Sequence, residues 1–148
     1  MPEKRTRKRA AKAKRQGKSG STQGGEYVRE EIHHVREGKH GARSTKQAIA
    51  IGLSKARRAG VRLPPPKAGT STRTRKQAAR DTAKGQRRSS SVSATRSRAT
   101  TRALKHEGHR AASKRALAKQ AHASAMKRSK ASRSRAAKKA ARTRKRLH

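Results

Sequence analysis

The chain has 148 residues, of which 45 are Lys or Arg and only 7 are Asp or Glu, and its formal net charge is +38. It contains no Cys, which excludes a disulfide framework, thiol chemistry and Cys-ligated zinc. Low hydrophobicity with high net charge is typical of chains that bury too little apolar surface to offset the entropy of ordering. We therefore expect a small folded core with disordered arms, and a polyanion as the partner.

Residues 1–20 carry dense basic clusters without an apolar helical face, so the sequence predicts a disordered basic arm. No stretch approaches the roughly 20 apolar residues that a membrane span needs. The basic beginning of the chain also lacks the apolar segment of a signal peptide. These observations predict an intracellular protein that has no membrane partner.

Residues 21–66 are predicted to form a small antiparallel helical hairpin, which would be the only core of a mostly α fold. Its first helix spans about residues 25–37, where apolar residues recur at i, i+4 and i+7. Its second helix spans about residues 45–59, between a capping box at Ser44 and Gln47 and a left-handed stop at Gly60. The predicted hairpin core consists of Val28, Ile32, Val35, Ile49, Leu53 and Ala56.

Small residues at positions 48, 52 and 56 of the second helix would allow another helix to approach closely. The few aliphatic side chains give a hairpin that is only marginally stable alone. We therefore expect a homodimer formed through the hairpin, or bound nucleic acid, to stabilise it.

Beyond the hairpin, residues 67–93 are predicted to be a basic linker with a short helix over residues 74–84. Residues 94–148 form a tail rich in Ala, Lys and Arg, with good helix propensity and almost no apolar face. Like charges one turn apart weaken such helices in water. We expect the tail to be helical only when its charges are neutralised.

Catalytic and metal chemistry find little support in the sequence. Three carboxylates crowd the first helix, but no pocket could bury them, so we expect them to balance the basic face of the second helix. His33, His34 and His40 cluster near the predicted turn, and we expect surface histidines, with His34 one turn from Glu30. The sequence therefore predicts no catalytic residue, no metal site, no cofactor and no small-molecule substrate.

The Lys and Arg residues are the strong functional signal, because such side chains neutralise phosphates and release condensed counterions. Reading a base sequence needs a positioned element, and no zinc finger, basic zipper or clear helix-turn-helix is visible. Modules that bind single strands or RNA usually stack bases on aromatic side chains, and only Tyr27 is available. The expected phosphate contacts are Lys4, Arg5, Arg7, Lys8, Arg9, Lys12, Lys14, Arg15, Arg43, Lys46, Arg57, Arg58, Arg73, Arg75, Lys76, Arg96, Arg98, Lys114, Arg115, Lys127, Arg128, Arg133, Arg135, Lys138, Lys139, Arg142, Arg144, Lys145 and Arg146.

The segment EYVREEIHHVREGKHGARSTKQAIAIGLSKARRAGVRLPPP, residues 26–66, resembles a family of small, very basic bacterial proteins often labelled plasmid stabilisation proteins. The shared core is GKHG…STKQAIAIGLSKAR. The tail is similar in composition to the C-terminal tails of linker histones and bacterial histone-like proteins. The resemblance implies a role in maintaining or organising bacterial DNA.

The sequence thus predicts a non-enzymatic protein of histone-like or plasmid-stabilisation type, which binds DNA without sequence specificity and compacts it. We expect it in the cytoplasm, associated with the nucleoid, with DNA favoured over RNA as its partner. Two alternatives stay open. One is an RNA-binding or ribosome-associated basic protein, and the other is a protein-interaction module of a plasmid-maintenance system.

Overall fold

The structure, a computed structural model, describes residues 2–87 and 93–147, with side chains through residue 145. Within these ranges it contains helices and no strand, which confirms the predicted mostly α class. The chain divides into two compact units, residues 1–113 and 114–148. The helices are α1 (Lys4–Arg15), α2 (Gly20–Arg36), α3 (Thr45–Arg58), α4 (Thr72–Gln86), α5 (Ala94–Lys105), a 3-10 turn (Arg110–Ala112), α6 (Lys114–Met126) and α7 (Lys130–Leu147).

The first unit is larger than the predicted hairpin with disordered arms. Helices α2 and α3 correspond to the two predicted hairpin helices and pack against each other. Helix α1 packs on α2, α4 packs on α3, and the 3-10 turn contacts both central helices. The unit is therefore a multi-helix assembly in which α2 and α3 are central.

Capping residues explain where α2 and α3 begin and end. Helix α2 begins five residues earlier than predicted, at Gly20, because the Ser19 hydroxyl accepts a hydrogen bond from the Thr22 amide at 3.4 Å. The Ser44 hydroxyl caps α3 through the Gln47 amide at 3.2 Å, as predicted. Left-handed Gly60, with φ of 82°, follows the end of α3.

The central contact between α2 and α3 is made by small residues. Ala48, Gly52 and Ala56 lie one turn apart on α3 and are all buried. A Cβ added to Gly52 would lie 2.6 Å from the Cα of Val28, so only glycine permits this approach. Small residues at these positions therefore admit a neighbouring helix, as the sequence predicted.

The structure buries only three of the six residues that the sequence predicted for the hairpin core. Ile32, Val35 and Ala56 are buried. The three remaining predicted core residues are only partly buried. For the two on α3, the reason is that the small-residue stripe of that helix, and not its larger aliphatic residues, faces α2 at the closest approach. These partly buried residues are Val28, Ile49 and Leu53.

The structure contradicts the expected disordered arm over residues 1–20, since α1 is a packed helix. Thr6, Ala10 and Ala13 recur at i, i+4 and i+7 and are buried, so a narrow stripe of small residues replaces the apolar face that the sequence lacks. One cluster joins α1 to the central helices. Its members are Ala10, Tyr27, Ala56 and Val61, with Leu63 packed against them.

Helix α4 is longer than the predicted short helix, because Ser71 caps its first turn through the Thr74 amide at 3.3 Å. Its buried residues are Ala78 and Asp81. Residues 88–92 of the predicted linker lie outside the described residues.

The last turn of α5 and the segment that follows it contact the link between α2 and α3 and the start of α3. The Gly41 amide donates to the carbonyl of Leu104 at 2.8 Å, and the Ala42 amide donates to the carbonyl of Gly108 at 3.0 Å. The Thr45 hydroxyl donates to the carbonyl of Ala111 at 2.7 Å. These hydrogen bonds join residues far apart in the chain and fix the position of the link.

The second unit contains α6 and α7, which the sequence predicted to be helical only when neutralised. Both segments are helices in the structure, and no residue of α6 is buried. None of the described helices, in either unit, has the length and apolar character needed to cross a bilayer.

The substitution Gly52→Ala is expected to lower the free energy of unfolding by about 1–3 kcal/mol, because its methyl group collides with the Val28 backbone. Gly25→Ala is the matched control, since a Cβ at this helical position meets no atom within 4 Å. The control is expected to stabilise the protein by about 0.5–1 kcal/mol through helix propensity. Urea unfolding followed by circular dichroism measures both, and equal stabilisation by the two alanines would contradict the close helix packing.

Candidate nucleic-acid interface

Several of the few acidic side chains are used for contacts within the first unit. The buried Glu31 of α2 forms an ion pair with Lys55 of α3. The Glu30 carboxylate accepts from the Glu3 amide at 3.3 Å, at the beginning of α1. Glu26 of α2 lies 4.0 Å from Arg9 of α1. The acids of α2 therefore connect neighbouring helices, as the sequence predicted for the contact with α3.

Asp81 connects α4 to α3 through a fully satisfied carboxylate. It is 1% exposed and accepts hydrogen bonds from Ser54 at 2.6 Å, Arg58 at 2.7 Å and Gln77 at 3.1 Å. Burial alone would raise the pKa of Asp81, but these hydrogen bonds outweigh it and hold the pKa below its usual range. The negative charge at this position therefore fixes α4 against α3.

Two of the three clustered histidines are not the surface residues that the sequence predicted. His33 is exposed, whereas the side chains of His34 and His40 are only 14% and 12% exposed. His34 pairs with Glu3 at 2.9 Å and not with Glu30, and this hydrogen bond lowers the pKa of the Glu3 carboxyl. Glu31, His34 and His40 each place one potential ligand atom within 4.8 Å of the others.

Most of the predicted phosphate contacts lie on exposed helix surfaces. They are distributed over α1, α3, α4, α5 and the link between α2 and α3 in the first unit, and over α6, α7 and the residues between them in the second. The exposed ones are Lys4, Arg5, Arg7, Lys8, Lys12, Lys14, Arg15, Arg43, Lys46, Arg58, Arg73, Arg75, Lys76, Arg96, Arg98, Lys114, Arg115, Lys127, Arg128, Arg135, Lys138, Lys139, Arg142, Arg144 and Lys145.

A few predicted contacts are less available than the sequence suggests. Arg58 is held by Asp81, and Arg57 is partly buried with a hydrogen bond to the carbonyl of Pro64. Arg9 and Arg133 are also partly buried. Arg146 lies in α7, outside the described side chains.

The structure also places together basic residues that the sequence prediction omitted. Lys76, Arg80 and Lys84 are exposed on α4 at i, i+4 and i+8, so they form one basic stripe. Only Lys76 was predicted to contact phosphate. Arg80 and Lys84 already lie within the helix predicted over residues 74–84, so their four-residue spacing from Lys76 could have identified both from the sequence.

Lys39 is a basic residue whose charge is neutralised locally. Its ammonium lies 3.0 Å from Glu37 and 3.5 Å from Glu3, and the hydrogen bond to Glu37 raises the pKa of Lys39. This arrangement distinguishes Lys39 from the basic residues of α7, a helix whose sequence contains no acid.

Tyr27, the one Tyr, Trp or Phe side chain, is buried and 3% exposed. It packs with Ala10, Ala56 and Val61, and burial raises the pKa of its hydroxyl. Tyr27 is therefore not positioned to stack on a nucleic-acid base.

Comparisons with protein-family models, with curated proteins and with solved structures found no match to this chain.

The substitution Asp81→Asn is expected to lower the free energy of unfolding at neutral pH by about 1–3 kcal/mol, because Arg58 and Ser54 lose a charged acceptor. Since the pKa of Asp81 is depressed in the folded chain, its contribution is complete above the unfolded-state value of about 3.9. The contribution is then lost as the pH falls through the folded-state pKa. Urea unfolding across this pH range should show the free energies of unfolding of the wild type and the variant becoming equal in acid.

Glu37→Gln is the control for Asp81→Asn, since the Glu37 side chain is 52% exposed and its pair with Lys39 is solvated. We expect this control to change the free energy of unfolding by less than about 1 kcal/mol. A difference between wild type and Asp81→Asn that stayed constant below about pH 4 would contradict the depressed pKa.

Proposed function

We propose that the protein binds double-stranded DNA through its phosphate backbone, largely without regard to base sequence, and thereby compacts it. The observation that carries this proposal is the charge imbalance, because 7 acids can neutralise only a small part of 45 basic side chains. Several of those acids are already used between helices, at Glu31, Glu26 and Asp81. The remaining positive charge has no counterpart within the chain.

The distribution of the basic residues supports backbone contacts. The sequences of α1, α5, α6 and α7 contain no acid, so each of these helices presents uniformly positive charge. Neutralising phosphates with these helices would release counterions and relieve repulsion between the helices themselves. In this proposal α2 and α3 hold the first unit together, and the basic segments on both sides supply the phosphate contacts.

The burial of Tyr27 supports phosphate contacts over base stacking. Helix α3 packs against α2 and α4, which is unlike a recognition helix that presents its side chains to a groove. Its small-residue stripe packs within the chain, so a homodimer is not required to bury it. Together these observations favour a sequence-independent ligand surface spread over several helices.

The proposed activity fits a histone-like or plasmid-stabilisation-type protein associated with the nucleoid, as the sequence resemblance implies. Duplex RNA is the competing ligand that the test must exclude, because A-form phosphates also attract basic helices.

Fluorescence anisotropy with two unrelated DNA duplexes of equal length tests the proposal. We expect similar affinities for both duplexes, and a loss of about 10³–10⁵ in affinity between 50 and 200 mM salt if 6–10 phosphates are contacted. Duplex RNA of the same length serves as the competitor. An affinity that did not change with salt, or a strong preference for the RNA, would contradict the proposal.

The substitution Lys139→Gln is expected to reduce the slope of log affinity against log salt by about 0.9, because one exposed phosphate contact is removed. Lys39→Gln removes the same charge from a site that Glu37 and Glu3 already neutralise, so its slope should change less. The same anisotropy titrations measure both slopes. Equal slopes for these two variants would show that net charge alone, and not exposed basic surface, determines binding.

A further inference from the structure

We propose that Glu31, His34 and His40 form a binding site for a divalent transition-metal ion such as Zn²⁺. One ligand atom from each of these residues lies within 4.8 Å of the others. Glu31 and His34 lie one turn apart on α2, and His40 lies in the link that leads to α3. The site is thus made by the packing of the link against α2, and it is independent of the proposed DNA binding.

The first observation that points to a cation is the burial of the Glu31 carboxylate. Its side chain is 1% exposed, and Lys55 contacts only Oε2. Atom Oε1 is buried and has no hydrogen-bond partner among the residues that the structure describes, although Nε2 of His40 lies 3.2 Å away. A buried carboxylate oxygen without a hydrogen bond is costly, and a metal ion at this point would satisfy it.

The orientation of His40 also suits a metal ligand. Its Nδ1 lies 3.0 Å from the carbonyl oxygen of Gly41, and a carbonyl can only accept, so Nδ1 carries the proton. In the neutral ring, Nε2 therefore presents its lone pair toward Oε1 of Glu31. A hydrogen bond from the second ring nitrogen to a backbone carbonyl is the usual support for a metal-bound histidine.

His34 completes the set with a similar support. Its Nε2 contacts the Glu3 carboxylate at 2.9 Å, which fixes the ring in place. The rings of His34 and His40 are nearly perpendicular, at 86°, with their centroids 6.1 Å apart. Each of the three ligands is thus held by a neighbouring group, through Lys55, Gly41 and Glu3 respectively.

Two imidazole nitrogens and one carboxylate oxygen favour zinc and its transition-metal neighbours over Mg²⁺ or Ca²⁺, which take oxygen ligands. Ligand bonds of about 2.0–2.1 Å would require small side-chain rotations to bring the three atoms together. A fourth position would remain for water. Because His40 lies in the link, the ion would cross-link that link to α2 and stabilise the folded first unit.

The test uses the full-length chain without a histidine tag, stripped of metal with a chelator and titrated with ZnCl₂ by calorimetry. We expect a site of one zinc per chain and a higher midpoint of thermal unfolding with zinc than with MgCl₂. His34→Ala and His40→Ala should each weaken zinc binding by more than about tenfold. His33→Ala is the matched control, because His33 is the exposed neighbour on α2, and its affinity should stay within about twofold of wild type.

A second measurement does not depend on whether the variants fold. In the ¹⁵N-labelled wild-type protein, one equivalent of zinc should shift the imidazole nitrogen resonances of His34 and His40. The resonances of His33 and His122, both exposed, should stay in place. Equal shifts for all four histidines, or zinc binding that His33→Ala weakens as much as His40→Ala, would overturn the proposal.

Discussion

The approach of α2 to α3 at Gly52 is the contact on which the first unit depends. With no Phe or Trp in the chain and few large aliphatic residues, burial has to come from backbones that lie close together. Ala48 and Ala56 extend this contact by one turn on either side, and both are completely buried. Helix α1 also packs through small residues, Thr6, Ala10 and Ala13, in place of the large apolar side chains that the chain lacks.

Because large apolar side chains are scarce, buried carboxylates also contribute to the contacts between helices. The most deeply buried acids lie between helices, where Glu31 and Asp81 are each less than 2% exposed, while most basic side chains are exposed. A buried carboxylate with cationic partners holds two helices in a specific orientation that alanine packing alone would not define. The exposed basic surfaces repel one another, so these contacts between helices hold the first unit together against that repulsion.

The sequence was sufficient to predict α2, α3 and the all-α class, because caps, stops and periodic apolar residues act locally. It missed the packing of α1, since the stripe of Thr6, Ala10 and Ala13 is too weakly apolar to register as a helical face. The sequence grouped His34 and His40 near the turn but missed that Glu31 joins them, for a different reason. Glu31 was interpreted only as a partner of the basic helix, and the position of His40 depends on a link whose conformation the sequence does not specify.

The hydrogen bonds from the end of α2 and the start of α3 to the 3-10 turn have a consequence for the order of folding. The bond between Thr45 and Ala111 spans 66 residues, and the one between Arg36 and Ala112 spans 76. Closing such loops costs more entropy than forming the neighbouring contacts between α1, α2 and α3. During synthesis, helices α1, α2 and α3 can therefore pack before the 3-10 turn leaves the ribosome, and the turn then docks as the last step of the first unit.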